Sequence, residues 1–350
     1  MPITAFAYPG DLNTPTGGYG YDRRIIAELE ALGWPLQPVP LGEGFPFPAP
    51  GTLDEAKETL LSLPANSTII VDGLAFGTMG DVAEAISERH RIVALVHHPL
   101  CMENGLPVDQ ARGLEHTEAK ALSFADHVIV TSPGTAEQLG DLFNIPKSRI
   151  TIALPGTDIP DVRAGRPGDM VRLLSVGTVV PRKGYDLLFD ALADLKEYAW
   201  HLDVVGGVEA APHCYEALKS QLHAAALTDR VTFHGSVVQE QLDAYYRSAH
   251  VFVLASQYEG YGMAFTEAIA YGLPVIGSGE GAVRGTLPKG AAIYCETGNV
   301  PAMKSALESL IVDRSQWHRL ADAARKASAD FPAWADTAKQ FESVLKGYAV

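Results

Sequence analysis

The chain has 350 residues, of which 47% are apolar and 20% charged, and a formal charge of −15. That length suits two α/β domains of roughly 150 residues rather than one core, and the composition excludes a disordered or fibrous chain. So acidic a protein is a poor match for general nucleic-acid binding or broad attachment to an anionic membrane, since both need a basic footprint.

Three cysteines, Cys101, Cys214 and Cys295, stand far apart and odd in number. They form neither a disulfide framework nor a zinc pattern, so a reduced, cytoplasmic protein is expected. The opening MPITAFAYPG lacks a charged region followed by a long apolar stretch, so no signal peptide is expected. No apolar run approaches the roughly 20 residues of a membrane span. Peripheral contact at the inner face of a membrane is left open.

Taken in chain order, the first strand is read at Thr4 to Tyr8, followed by TPTGGYGYDRR from Thr14 to Arg24. A helix is predicted from Tyr21 to Leu32, with Ile25, Ile26, Leu29 and Leu32 on one face. Gly18 and Gly20 give G-x-G, but Arg23 stands where a dinucleotide fingerprint needs its third glycine, so a hydride-transfer motif is incomplete. A tight βα turn and ligand contact at Gly17 and Gly18 both remain open. GEGFPFPAPG (Gly42 to Gly51) sets two phenylalanines between prolines, as a packed loop or a touch point for lipid.

Strands follow at Thr68 to Val71, Ile92 to Val96, His127 to Thr131 and Ile150 to Leu154. Asp72 and Gly73 close one of them. His97 and His98, in LVHHPLCMEN with Glu103 nearby, stand at the carboxyl end of another. Ligands of open α/β sheets bind at that end, although ordinary strand-end histidines are the plain alternative. PGTDIPDVRAGRPGD (Pro155 to Asp169) is rich in Pro, Gly and Asp and reads as a linker. It sets the expected domains at residues 1–158 and 159–330, with a last helix in 331–350.

Beyond the linker, strands are predicted at Val171 to Val176, His201 to Val205, Val231 to His234, His250 to Ala255 and Pro274 to Gly277. Most strands are continuously apolar, as in sheets covered by helices on both faces. The βαβα rhythm argues for doubly wound parallel sheets. LLSVGTVVPRKGYDLLFDAL is a strand, a loop and a helix, with Arg182 and Lys183 just before the helix start at Gly184. Two cations facing a helix N-terminus make a diphosphate clamp that needs no metal, with two solvated basic residues as the plain alternative.

VFVLASQYEGYGMAFTEAIAYGLPVIG (Val251 to Gly277) runs from a buried strand through Glu259, Gly260 and Gly262 into a helix carrying Glu267. The helix start offers unpaired N–H groups to a phosphate or to hydroxyls, and glycines let backbone approach a ligand closely. The two carboxylates can each accept from vicinal hydroxyls, which sugars and ribose present. No Asp-x-Asp occurs, and the eleven histidines form no His-x-His or His-x3-His pair, so neither a metal nor any other cofactor is expected. DFPAWADTAKQFESVL (Asp330 to Leu345) closes the chain as a helix with Trp334, Phe341 and Val344 on its apolar side.

The Glu259 to Glu267 segment, with the Gly-Leu-Pro-Val-Ile entry to the next strand, resembles the retaining E-x7-E glycosyltransferases of the GT-B fold, family 4. The likeness runs along essentially the whole chain. It implies two Rossmann-like, doubly wound parallel-sheet domains facing across a cleft, and a last helix that crosses back to the N-terminal domain. It implies that Glu259, Gly260, Tyr261 and Gly262 contact the donor sugar together with His97, and that Glu267 contacts the ribose. The donor diphosphate falls to Arg182, Lys183, Gly18, Met263 and Ala264, with His97, Glu259 and Lys183 as the catalytic set. The family's usual arginine at the strand end is Thr178 here, which leaves Arg182 as its substitute. The turn His234 to Val237 lies beside the nucleobase by the same likeness, and His98, Asp72 and Glu103 fall on the acceptor side.

The expected function is metal-independent, retaining transfer of a hexose from a UDP- or GDP-sugar to an acceptor hydroxyl on a lipid, a saccharide or a small molecule. Bacterial glycolipid or envelope polysaccharide synthesis is the family's most frequent use. A nucleotide-sugar epimerase or hydrolase, or a non-catalytic nucleotide-sugar-binding protein, are the alternatives.

Overall fold

Runs of Val, Ile and Leu without polar interruption make stable strands only where helices cover both faces of a sheet. The computed structural model, which describes residues 3–103 and 105–348, uses them in this way. The chain divides into two compact units: unit 1 is the stretch up to Gly156 together with that from Pro332 onward, and unit 2 is Thr157–Phe331.

In unit 1 the described residues form six parallel strands: β1 (Thr4–Tyr8), β2 (Leu36–Pro40), β3 (Thr68–Asp72), β4 (Arg91–Val96), β5 (His127–Val130) and β6 (Ile150–Ile152). Their spatial order is β2-β1-β3-β4-β5-β6, so the direction of winding reverses between β1 and β3. Ligands of open α/β sheets bind at such a switch point, beyond the carboxyl ends of the strands. Asp72 ends β3, and His97 follows β4.

β2 was not anticipated, because LQPVP carries two prolines in five residues. It is an edge strand, where a missing N–H can face away from the ladder. The first helix spans Gly17–Ala31 and starts four residues earlier than expected, because the Thr16 side chain accepts from the Tyr19 amide and caps it. Leu32, expected on its buried face, lies past its end and is 38% exposed. Phe45 of the proline-rich loop packs against the core of unit 1, while Phe47 is exposed.

The last helix, Trp334–Lys346, belongs to unit 1. It begins after Pro332 rather than at Asp330, since the residue before a proline is steered away from helical geometry. Trp334 and Phe341 are buried against Tyr21, with ring centroids 5.5 and 6.3 Å away. The Tyr21 hydroxyl donates to the Ala153 carbonyl at 2.9 Å. This aromatic packing fixes the first helix, and with it everything that helix carries toward the sheet edge.

Unit 2 is built from β7 (Val171–Val176), β8 (Trp200–Val205), β9 (Val231–Phe233), β10 (Val251–Leu254), β11 (Tyr258–Glu259), β12 (Val275–Ser278), β13 (Glu280–Gly281) and β14 (Ala292–Cys295). The described residues place six of them in a parallel sheet of order β14-β12-β10-β7-β8-β9, and pair β11 with β13. Here the winding reverses between β7 and β10. The expected linker is partly pinned to this unit: the buried Ala164 donates its amide to the Tyr271 carbonyl at 2.9 Å, and the Arg163 guanidinium donates to Ala270 O and Ser328 Oγ. Among the described residues no helix is long and apolar enough to cross a membrane.

Candidate active site

The switch point of unit 2 brings the loop after β7 against the loop after β10. The first carries Arg182 and Lys183 in a short turn, Pro181–Lys183. Gly184 follows at φ +62°, and a Cβ there would collide with the Ala255 carbonyl, so only glycine lets the two loops approach this closely. Glu259, at the end of β11, is 6% exposed. A carboxylate so buried needs partners to stay charged. Lys183 Nζ donates to its Oε1 at 2.6 Å, Ser256 Oγ to the same oxygen at 2.6 Å, and Arg182 to Oε2 at 3.3 Å. Burial alone would raise the Glu259 carboxyl, but Lys183 and Arg182 outweigh it and hold the group down at about 2. The site is therefore a buried carboxylate faced by two cations.

Arg182 also donates to the Tyr258 carbonyl at 2.8 Å, and Gln257 N donates back to Arg182 O at 2.8 Å. Both expected basic residues thus converge on Glu259. Thr178 stays in the loop after β7, its carbonyl accepting from Val180 N at 2.9 Å.

The helix after the loop, Met263–Ala270, has Gly262 at φ +90° as its N-cap and no capping side chain. The first amides of such a helix, at Met263 and Ala264, have no carbonyl a turn before them and suit an anion. Tyr261 holds the loop through its carbonyl, which accepts from Thr286 Oγ1 at 2.7 Å, and burial pushes its phenol up to about 12. Gly260 lies in the same loop. Glu267 is half-buried on this helix, and Tyr246 Oη donates to its Oε2 at 2.8 Å. Burial pushes Glu267 above the usual carboxylate range, and the Tyr246 bond works against that rise. Tyr246 itself is 1% exposed and stacks on Tyr271 with centroids 4.9 Å apart.

Beyond β9, His234 sits between two partners. Its Nε2 is 2.8 Å from Asp203 Oδ1, and its Nδ1 is 2.8 Å from the Tyr245 hydroxyl. His234, Ser236, Val237, Gln241, Ala244 and Tyr245 line a surface groove here.

Unit 1 presents a different cluster at its own switch point. His97 Nε2 is 3.4 Å from Asp22 Oδ1 and 3.4 Å from Asp72 Oδ2. Asp22, on the first helix, is 0% exposed, and Asp72 is 3% exposed. Asp72 keeps its other oxygen for the Leu74 amide, 2.9 Å away. Burial disfavours the charged imidazole, but Asp22 and Asp72 outweigh it and push His97 up to about 10. Burial and the charge of Asp72 in turn push Asp22 above the usual carboxylate range. Among the described residues this is the one group of three or more His, Cys, Asp and Glu side chains whose ligand atoms converge within 4.8 Å. Gly18 leaves room beside the ring: a Cβ there would lie 3.7 Å from His97 Nε2. The neighbouring His98 pairs through Nε2 with Glu103 at 3.2 Å.

The sequence reading missed Asp22, Ser256, Tyr246 and Asp203. For Asp22 a signal was present: it lies three, four and seven positions before Ile25, Ile26 and Leu29, on the apolar stripe of the helix, where a carboxylate needs a reason.

Residues 161–327 match the family model described as glycosyl transferases group 1. A D-inositol 3-phosphate glycosyltransferase from Xylanimonas cellulosilytica is 30% identical over 241 residues, covering 64% of this chain and 58% of that protein. A mannosylfructose-phosphate synthase from Agrobacterium fabrum is 34% identical over 171 residues, 43% of this chain and 37% of that protein. The chain spans about three fifths of the length of the first of these relatives. Among solved structures, sucrose-phosphate synthase from Thermosynechococcus elongatus aligns over 98% of both chains with a TM-score of 0.83 at 21% identity. HepE from Anabaena, in complex with UDP and glucose, covers 98% of this chain and 99% of its own, with a TM-score of 0.78 at 16% identity. At such identities the likeness is one of fold. The two-sheet architecture is GT-B, and the stretch 161–327 is similar to the group 1 glycosyl transferases.

Proposed function

We propose that the protein is a retaining, metal-independent glycosyltransferase that moves a hexose from a nucleoside-diphosphate sugar to an acceptor hydroxyl. The observation that carries this reading is the clamp at the switch point of unit 2. Lys183 and Arg182 meet a buried, ionised Glu259 beside an uncapped helix start, within the stretch that matches the glycosyltransferase family. In this reading Lys183 and Arg182 neutralise the diphosphate as it departs, helped by the amides of Met263 and Ala264. They supply the charge stabilisation that a metal gives elsewhere. Glu267 takes the ribose hydroxyls, oriented by Tyr246. Glu259, Gly260, Tyr261 and Gly262 hold the sugar. His97 contributes a further polar contact to the sugar, with Gly18 beside it, and His98, Asp72 and Glu103 serve the acceptor side.

Glu259 is a poor nucleophile here, because Lys183, Ser256 and Arg182 already occupy its oxygens and hold its charge. Front-face displacement follows: the bond from the anomeric carbon to the leaving phosphate breaks, the acceptor oxygen bonds on the same face, and the departing phosphate takes the acceptor's proton. The UDP and glucose carried by HepE, which shares the fold, support a uridine donor.

Calorimetric titration of EDTA-treated protein with UDP-, GDP- and ADP-sugars tests the reading, repeated with Glu267→Ala. Metal-free binding of one donor, weakened by the substitution, is expected. No binding to any of them, or binding that needs a divalent ion, overturns it.

A further inference from the structure

We propose that Asp22 is a positioning residue for His97: with Asp72 it holds the imidazole by Nε2 as a cation, so that the opposite ring edge is presented to a sugar hydroxyl. The proposal rests on the transferase reading above and deepens it.

A carboxylate at 0% exposure on the apolar stripe of a helix is costly unless a charge faces it. Both Asp22 oxygens lack a hydrogen-bond donor at bonding geometry, and His97 Nε2, at 3.4 Å, is the cationic group that faces them. The second carboxylate arrives from a separate element, the end of β3, at the same 3.4 Å. Two carboxyl oxygens on one nitrogen fix the ring's flip state, because turning the imidazole over would place a C–H where the N–H stands. The side of the ring that carries Nδ1 is fixed with it.

The ring's other neighbours leave this assignment intact. Tyr21 meets it edge-on at a centroid distance of 5.3 Å, and Gly18 leaves its Cδ2 side uncrowded. Thr131 and Thr135 donate their hydroxyls to the His97 carbonyl oxygen at 3.3 and 3.2 Å, which anchors the backbone rather than the ring. The strongest charges on the imidazole are therefore Asp22 and Asp72 alone, from the first helix and from β3. His97 is 21% exposed in its side chain, so one edge remains open to a ligand while the Nε2 edge is closed.

The test uses the full chain and Asp22→Asn. Ring nitrogen NMR should show His97 doubly protonated in the wild type through about pH 8, well above the ordinary histidine value of about 6.5, and titrating more than a unit lower in the variant. The variant should lose roughly 10- to 100-fold in kcat/KM, less than the roughly 100- to 10,000-fold that a positioned acid or base itself contributes, with affinity for free UDP within twofold of the wild type. A neutral His97 at pH 7 in the wild type overturns the proposal. So does an unchanged kcat/KM, an equal loss of UDP affinity, or stoichiometric Zn²⁺ or Mn²⁺ uptake abolished by the substitution. If Asp22→Asn does not fold, the wild-type ring spectrum carries the test. If the wild type turns over no donor, the transferase reading fails, and the spectra still decide whether Asp22 holds His97 as a cation.

Discussion

The two sheets put charge at equivalent places and with opposite sign. At the switch point of unit 2 a single carboxylate, Glu259, is held by Lys183 and Arg182. At that of unit 1 a single imidazole, His97, is held by Asp22 and Asp72. The first sets two cations around its carboxylate and suits an anionic group; the second sets two carboxyl groups around its imidazole and suits a hydroxyl-rich, uncharged one. A switch point thus provides a place for a ligand without dictating its charge, although the two strand orders differ, and the charge is set by a few side chains at strand ends.

The comparison breaks most sharply at Lys183. Replacing it by alanine removes one of the two cations beside Glu259 and should lower kcat/KM by about 100-fold or more, as loss of one transition-state donor does. Initial rates check this, and a fall of less than tenfold would show that the cation pair of unit 2 is not what the chemistry uses. Gly184→Ala should come next. It forces a left-handed residue against the Ala255 carbonyl and should destabilise unit 2 by about 2–4 kcal/mol, read from urea midpoints.

A pH series sharpens the contrast without any mutation. Glu259 is lowered from 4.5 to about 2, so its stabilisation is present above about pH 4.5 and lost as pH falls through about 2. That amounts to roughly 3 kcal/mol. His97 is raised from 6.5 to about 10, so its stabilisation is complete below about pH 6.5 and lost as pH rises through about 10. Each unit holds two of the four tryptophans: Trp34 and Trp334 in unit 1, Trp200 and Trp317 in unit 2. Variants keeping only one pair should report acid loss from unit 2 and alkaline loss from unit 1. Glu259→Gln should abolish the acid limb alone. The smallest effect is expected of Tyr246→Phe, which removes one hydrogen bond of about 1 kcal/mol. It should narrow the preference for UDP over its 2′-deoxy analogue by roughly threefold to tenfold in calorimetric titration.

Much of the fold was legible because buried parallel strands announce themselves: Thr4 to Tyr8 and Val171 to Val176 end where the periodicity placed them. The edge strands β2 and β14 were not, since an edge tolerates prolines and short, half-exposed runs that look like loop. In unit 2 the charged cluster was legible in part: Arg182, Lys183 and Glu259 stood out by position, yet their mutual ion pairing depends on loops 76 residues apart. Asp22 was overlooked because a polar residue within a helix reads as solvent-facing unless its phase is compared with Ile25, Ile26 and Leu29. Ser256 and Tyr246 carried no local mark at all, for each acts on a carboxylate set by the tertiary fold.

Unit 1 is discontinuous: its first helix is covered by Trp334 and Phe341, which follow the whole of unit 2 in sequence. On the ribosome, unit 2 therefore has its full complement of core residues while the buried face of Tyr21 still waits for the last helix. Tyr21, which meets His97 edge-on, gains its full cover only after the chain has been made through Phe341. The sheet that precedes unit 2 in sequence is completed after it.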